Sequence, residues 1–180
     1  MERVTGLPGP ALPGPAPDAV RQQVTALYQA HALGLVRLAV LMVGDQPTAE
    51  DVVQDAFLGL YRRWPSLKDQ ARALSYARAS VLNGCRMVHR ARSRRDAVSL
   101  DIPDDVESAE ATALLGEAHR EVLGALRLLP ARQREAVVLR YYLDLTEDQA
   151  AEAMQVSRGT IKSATSRGLA ALARLLKEER

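Results

Sequence analysis

The chain has 180 residues, enough for one or two small domains, and a formal net charge of +2. Its single cysteine, Cys85, excludes an intrachain disulfide and a cysteine-rich metal site, and the three histidines form no ligand cluster, so we expect no cofactor. Aromatic residues make up only 4% of the chain. A core built mainly from Leu, Val and Ala favours an all-α fold.

Charge is distributed unevenly along the chain. Residues 86–95 hold five Arg and no acid, residues 96–119 hold seven acids and no Lys or Arg, and residues 155–180 are basic again. Two basic stretches that flank an acidic one indicate two separate anionic contacts. Solvated helix faces are the alternative, but they would interleave the two signs along each helix.

The first part of the chain is predicted to be a tail followed by a helix. Residues 1–17 carry five Pro and three Gly, which predicts disorder. Apolar residues recur at helical spacing over 19–43, and Gly44 is expected to end that helix. The apolar run 33–43 is short and interrupted by Arg37, so we expect no membrane span. Without a basic-plus-apolar signal sequence at the start, the protein is expected to be cytoplasmic.

A second helix is predicted from Thr48, which forms a capping-box pattern with Asp51. Its apolar stripe consists of Val53, Phe57, Leu60 and Trp64. Its opposite face carries Asp51, Gln54, Asp55, Leu58 and Arg62. An exposed Leu among carboxylates suits a protein contact better than a nucleic-acid contact, because carboxylates repel phosphate; a solvated face explains the pattern equally well.

A third helix is expected over about 71–92, with Leu74, Ala77, Val81, Cys85 and Val88 on its buried side. Its other side carries Arg78, Asn83, Arg86 and Arg90. Five arginines within ten residues repel one another unless an anion neutralises them, so this helix is a candidate nucleic-acid surface. Basic helices also bind RNA, membranes or acidic partners. Residues 96–116 then read as a flexible acidic linker between helical domains at 18–95 and 117–178.

The C-terminal domain is predicted to contain a helix-turn-helix at 146–168. Thr146 with Gln149 forms a capping-box pattern, and Ser157 is expected to cap the last helix, which runs to about Leu176. Ala150, Val156 and Ile161 are expected to face inward. The outward positions of the last helix are Arg158, Lys162, Ser163, Ser166 and Arg167.

Cations and hydroxyls of this kind suit the reading of a DNA major groove. Thr160, near the helix start, can offer its hydroxyl and its backbone N–H to a phosphate. A purely solvent-facing helix is the alternative. The absence of any acid from 153 to 177 argues against it.

Two segments resemble a known family. AEDVVQDAFLGLYRRW (49–64) resembles region two, and LPARQREAVVLRYYLDLTEDQAAEAMQVSRGTIKSATSRGLAAL (129–172) resembles region four, of the extracytoplasmic-function sigma factors of the sigma-70 family. RYYLDLTEDQAAEAM and GTIKSATSRGLAAL are most similar to the SigE-like actinobacterial subgroup. The resemblance covers about 19–95 and 117–176, and it implies a sigma factor that directs RNA polymerase to promoters.

The resemblance also implies a role for three sets of residues. Asp51, Gln54, Asp55 and Leu58 fall where the family docks on the clamp helices of the largest subunit of core RNA polymerase. The loop at 65–72 and Arg78, Asn83, Arg86 and Arg90 fall where it captures the −10 element. Arg158, Thr160, Lys162, Ser163, Ser166 and Arg167 are the candidates for the −35 element. An anti-sigma factor is a further partner that the resemblance allows.

This chain departs from the family pattern at two positions. Gln155 stands where many members have Gly, and a left-handed non-Gly residue costs about 1 kcal/mol. Ala164 stands where many members have an Arg that serves backbone phosphate, so its presence is expected to weaken DNA binding without changing which bases are read.

Two other functions fit parts of the sequence. A helix-turn-helix regulator that never binds polymerase usually dimerises to read palindromes, and no clear dimerisation helix is visible. An enzyme of nucleic-acid chemistry would need clustered acids for metal ions beside the basic surfaces, or a Gly-rich phosphate loop, and the sequence has neither. We therefore predict a non-enzyme.

Overall fold

The computed structural model describes residues 17–67, 69–96 and 117–178, and their regular structure is entirely helical, which confirms the all-α class. The helices are α1 (Pro17–Val43), α2 (Gln46–Arg63), α3 (Ala73–Asp96), α4 (Glu117–Leu128), α5 (Ala131–Val137), α6 (Glu147–Met154) and α7 (Arg158–Glu178). Two 3-10 turns, Trp64–Ser66 and Gln70–Arg72, lie between α2 and α3, and a π-helical turn, Val138–Tyr142, extends α5. Nearly all of the predicted tail and linker lie outside the described residues.

The junction between α1 and α2 is made by Gly44 and Asp45. Gly44 has a φ of +96°, a conformation that glycine tolerates, so α1 ends where the sequence predicted. Asp45 caps α2, because its Oδ1 accepts a hydrogen bond from the backbone N–H of Thr48 at 2.9 Å. The predicted capping box of Thr48 and Asp51 is therefore wrong: the acceptor lies three residues earlier, and Thr48 already belongs to the helix.

Helix α1 is long and apolar enough, by length and composition, to cross a membrane. The sequence analysis considered only the apolar run 33–43, so its expectation that no segment is long enough to span a membrane is wrong for α1. A core helix of a soluble protein passes the same test, and α1 packs against both α2 and α3 with Leu38 and Ala39 fully buried.

Helices α1, α2 and α3 form one bundle. The predicted stripe of α2 is buried, with Val53, Phe57, Leu60 and Trp64 at most 5% exposed. On α3, Ala77, Val81 and Cys85 are buried, whereas Leu74 and Val88 are half-buried. Gly84 allows α3 to approach α2 closely, since a Cβ at this position would lie 2.8 Å from a methyl group of Val52.

Helices α4 to α7 form a second bundle, in which α7 packs against α4, α5 and α6. Leu139, Met154 and Ile161 are fully buried at its centre. The two bundles touch each other: α3 packs against α6, and α1 packs against α4 and α5. Buried side chains from both bundles belong to a single continuous core. The structure therefore brings the predicted −10 face of α3 next to the second bundle.

Candidate polymerase and DNA interfaces

The helix-turn-helix is built from α6, a short turn and α7. Thr146 and Gln149 form the predicted capping box: the N–H of Gln149 donates to Thr146 Oγ1 at 3.2 Å, and the N–H of Thr146 donates to Gln149 Oε1 at 2.9 Å. Gln155 has φ +56° and ψ +46°, the predicted left-handed conformation. Ala150 and Ile161 are fully buried between the helices. These contacts fix the orientation of α7.

The outward face of α7 is the predicted one. Arg158, Lys162, Ser163, Ser166 and Arg167 are all exposed. The Ser163 hydroxyl donates to the carbonyl of Thr160 at 3.1 Å, which leaves its oxygen available as an acceptor. Exposed cations and hydroxyls therefore follow one another along about three turns of one helix.

Two expectations for α7 are corrected by the structure. The backbone N–H of Thr160 donates to Ser157 Oγ at 3.2 Å, and its hydroxyl lies 2.9 Å from the same oxygen, so the N–H is already used by the helix cap. Ala164 is only 4% exposed and packs in the core. This position therefore lies on the packed side of α7, where it does not face a phosphate, and the expected loss of a phosphate contact at Ala164 is wrong.

Arg158 is held by the acidic start of α6. Its Nε donates to Glu147 Oε2 at 2.7 Å, and its Nη1 lies 3.9 Å from Asp148 Oδ2. This hydrogen bond holds the pKa of Glu147 below its usual value. The pair joins the two helices of the helix-turn-helix across the turn, a contact that the sequence analysis did not anticipate.

The exposed face of α2 carries the predicted protein-docking residues. Asp51, Gln54 and Asp55 are exposed, and Leu58 is 50% exposed. Beside them a groove of about 440 Å³ runs between α2 and α3. Asp55 and Asn83 both line this groove, so the structure brings together one residue from the predicted polymerase set and one from the predicted −10 set.

The predicted −10 residues on α3 differ in their surroundings. Asn83 and Arg90 are exposed, whereas Arg78 and Arg86 are half-buried. Burial lowers the pKa of Arg78. The Arg86 side chain donates to both carboxylate oxygens of Glu135, at 2.9 and 2.6 Å, and to Asn83 Oδ1 at 2.9 Å. Arg86 is therefore engaged with the second bundle in this structure.

A polar cluster surrounds that contact between the bundles. Glu135 and Arg134 are buried, and Arg134 Nη2 lies 3.1 Å from His89 Nε2. The same histidine nitrogen lies 2.8 Å from the carbonyl oxygen of Met42. One nitrogen cannot both donate to the carbonyl and accept from the guanidinium, so each neutral tautomer satisfies only one neighbour. The sequence analysis missed Arg134 and Glu135, and the largely polar sequence of α5 gave no signal that these two side chains would be buried.

The basic stretch 86–95 is partly neutralised within the chain. Arg92 donates to Asp45 Oδ2 at 2.6 Å and also to the carbonyl of Val43 at the end of α1. With Arg86 bound to Glu135, two of the five arginines have carboxylate partners among the residues that the structure describes. The negative charge that was expected to neutralise these arginines is therefore supplied in part by carboxylates of the same chain.

Comparison with known proteins identifies the family. Residues 27–95 match sigma-70 region 2, and residues 119–172 match sigma-70, region 4. The RNA polymerase sigma-E factor of Streptomyces coelicolor is 33% identical over 139 residues, covering 77% of this chain and 77% of that protein. The chain belongs to the extracytoplasmic-function sigma factors. Like other members, it acts with RNA polymerase in promoter-specific transcription initiation.

Two further relatives support this assignment. The ECF RNA polymerase sigma factor SigM of Mycobacterium tuberculosis is 33% identical over 150 residues, covering 83% of this chain and 75% of that protein. The sigma factor RpoE of Bartonella quintana, solved with the anti-sigma factor NepR, superposes with a TM-score of 0.65 at 25% identity, covering 91% of this chain and 99% of that one. The sigma factor therefore shares its fold with a solved member of the family, and the alternative of a regulator that never binds polymerase is set aside.

Proposed function

We propose that this sigma factor divides its work between a region-2 domain at 18–95 and a region-4 domain at 117–178. The region-2 domain binds core polymerase and the −10 element, and the region-4 domain binds the −35 element. The observation that carries this proposal is the exposed face of α7, which holds cations and hydroxyls. The opposite face of α7 is buried against the other helices of its bundle. The chemistry of RNA synthesis belongs to the polymerase, so the chain itself is a non-enzyme and works in the cytoplasm.

The −35 contact is assigned to the outward side chains of α7. Lysine and arginine recognise guanine edges in the major groove, and hydroxyls serve bases or phosphates. The residues proposed for this contact are Arg158, Thr160, Lys162, Ser163, Ser166 and Arg167. The hydroxyl of Thr160, rather than its N–H, is the group that can reach DNA, because Ser157 occupies the N–H.

The −10 contact is assigned to the loop at 65–72 and to Arg78, Asn83, Arg86 and Arg90. Arg90 and Asn83 are exposed, so DNA can approach them directly. Arg86 can reach DNA only after it leaves Glu135, since the same guanidinium cannot satisfy a buried carboxylate and a phosphate in another place. A contact between Arg86 and the −10 element therefore requires the two bundles to separate around Arg86.

The polymerase contact is assigned to Asp51, Gln54, Asp55 and Leu58 on α2, docking against the clamp helices of the largest subunit. A half-exposed leucine flanked by carboxylates combines an apolar anchor with a charged rim, as protein interfaces commonly do. An anti-sigma factor is a further partner of the same chain. The proposed anti-sigma partner is supported by the solved relative that is bound to an anti-sigma factor.

The test is reconstitution with purified core RNA polymerase. The chain is expected to co-purify with core and to support transcription from a promoter library, and Asp51→Arg/Asp55→Arg is expected to abolish co-purification, since reversed charges oppose docking. Asp18→Arg/Glu121→Arg makes the same charge change away from α2 and is expected to bind normally. If the Asp51→Arg/Asp55→Arg variant binds core as well as the control does, the assigned docking face is wrong.

A second arm tests the DNA assignment. Lys162→Ala and Arg167→Ala are each expected to relax base preference in the −35 element by roughly 1–3 kcal/mol at one base pair. Unchanged −35 preferences in both variants would remove α7 from base reading.

A further inference from the structure

The cations on the outward face of α7 are not equivalent. Arg158 Nε donates to Glu147 Oε2 at 2.7 Å, and its Nη1 is 3.9 Å from Asp148 Oδ2. Within the described residues, neither Lys162 nor Arg167 takes part in an ion pair. One of the three cations at this face is therefore paired with a carboxylate in this structure, whereas Lys162 and Arg167 make no ion pair within the described residues.

The partner carboxylates lie at a sensitive place. Glu147 and Asp148 form the first turn of α6, where negative charge suits the helix dipole. In a helix-turn-helix, the first helix crosses the DNA backbone while the second enters the major groove. Two uncompensated carboxylates beside phosphates would oppose DNA binding at every sequence. A cation fixed between them removes much of that repulsion.

Reaching a base edge would require Arg158 to abandon Glu147. The movement would leave both carboxylates facing the phosphates without their nearest cation. It would also break the ion pair that joins α6 to α7. Apart from this ion pair, the two helices are connected by a turn in which Gln155 has a left-handed backbone. The base-reading role therefore falls to the residues that begin one turn later on α7.

We propose that Arg158, one of the six residues assigned above to the −35 contact, serves that contact as a positioning residue and not as a base reader: it neutralises Glu147 and Asp148 and sets α7 against α6, and Lys162, Ser163, Ser166 and Arg167 read the DNA. This inference rests on the proposed binding of the −35 element by α7. It assigns Arg158 an effect on affinity that is the same for every sequence, and it assigns sequence discrimination to the rest of the face.

The experiment uses holoenzyme reconstituted from the full chain and core RNA polymerase, with a promoter library randomised across the −35 element. Binding is measured over a range of salt concentrations for the wild type, Arg158→Ala, Glu147→Gln and the double variant Arg158→Ala/Glu147→Gln. The double variant has the same net charge as the wild type, so it separates charge balance from the identity of the side chain. Circular dichroism of each variant checks that the fold is retained.

Arg158→Ala is expected to weaken binding roughly three- to tenfold on all library members and to leave the preferred bases unchanged, because the exposed carboxylates then repel the phosphates whatever the sequence. The double variant is expected to recover most of the lost affinity, as a coupled pair does in a double-mutant cycle. Loss of preference at one base pair in Arg158→Ala, without recovery in the double variant, would overturn the proposal and make Arg158 a base reader.

Lys162→Ala serves as the comparison for a true reader and is expected to flatten the preference at one base pair. A wild-type holoenzyme with no −35 preference at all would instead refute the proposed function. The two failures are therefore distinguishable, because only the second one affects the wild type.

Discussion

Arg86 and Glu135, which lie 49 positions apart in the sequence, form a bidentate ion pair that joins α3 to α5. The Glu135 side chain is 5% exposed and that of Arg86 is 21% exposed. Hydrogen bonding to Glu135 raises the pKa of Arg86, which keeps the guanidinium charged against the cost of its burial. This pair links the face proposed for the −10 element to the domain proposed for the −35 element, so its strength bears on how readily the two domains separate.

Glu135→Gln is expected to lower the free energy of unfolding by about 1–3 kcal/mol, because it leaves a half-buried guanidinium without its carboxylate. Small-angle X-ray scattering of the free chain is expected to show a larger radius of gyration as the bundles separate. Glu152→Gln is the matched control, since its partner Arg72 also spans the two bundles but is 65% exposed. Exposed pairs contribute about 0–1 kcal/mol. Equal losses in the two variants would contradict the special role of the Arg86–Glu135 pair.

The stability of the fold is expected to depend on pH through His89. Burial, together with the nearby charges of Arg134 and Arg92, lowers the pKa of His89 from its ordinary 6.5, although the Met42 carbonyl and Glu135 oppose this shift. Below pH 6.5 the unfolded chain therefore binds more protons at this site than the folded chain does. The free energy of unfolding should fall as the pH drops through 6.5, until the folded pKa is passed.

Urea unfolding between pH 8 and pH 5.5 measures this effect of His89. His89→Gln is expected to flatten the pH dependence. His31→Gln is the control; His31 lies eleven residues before Met42 on α1, about 16 Å along the helix, and this variant is expected to keep the wild-type profile. Identical profiles for the wild type and His89→Gln would rule out His89 as the origin of the pH dependence.

Gly168 is expected to be required for the packing of α7 on α5. A Cβ at this position would lie 2.7 Å from a Val137 methyl and 3.1 Å from the carbonyl oxygen of Gln133, and a backbone oxygen cannot move aside cheaply. Gly168→Ala should cost about 1–3 kcal/mol of stability. Gly124→Ala in α4 is the control, because nothing lies within 4 Å of its Cβ position, and it should gain up to about 1 kcal/mol of helix propensity. Thermal unfolding that ranks the two variants the other way would refute the close approach.

The left-handed residue in the helix-turn-helix offers a stabilising substitution. Gln155 has φ +56°, where a side chain is strained and glycine is not. Gln155→Gly is expected to raise the free energy of unfolding by up to about 1 kcal/mol. Asp144→Gly is the comparison at φ +48°, and it should gain less, since aspartate tolerates this region better than glutamine does. Chemical denaturation of both variants measures the difference, and a loss of stability in Gln155→Gly would contradict the strain.

Much of the helical structure of this protein could be predicted from local patterns in its sequence. The apolar period of α2, the end of α1 at Gly44, the capping box at Thr146 and the outward face of α7 follow from contacts within a few residues, and the structure confirms each of them. The cap of α2 was misplaced because Asp45 and Thr48 are both good N-cap residues and only the backbone decides between them. Ala164 was misjudged because family likeness says nothing about which side of α7 is packed.

The amino-acid sequence by itself determined the helices, the helix-turn-helix and the family, because periodicity, caps and motifs are properties of neighbouring residues. Only the tertiary structure decided which charges are available. Arg86, Arg92 and Arg158 read as free cations in the sequence, yet each has a carboxylate partner 49, 47 or 11 positions away. Such pairs depend on how helices cross, and the crossing is set by close packing at sites such as Gly84 and Gly168, which no one-dimensional pattern reveals.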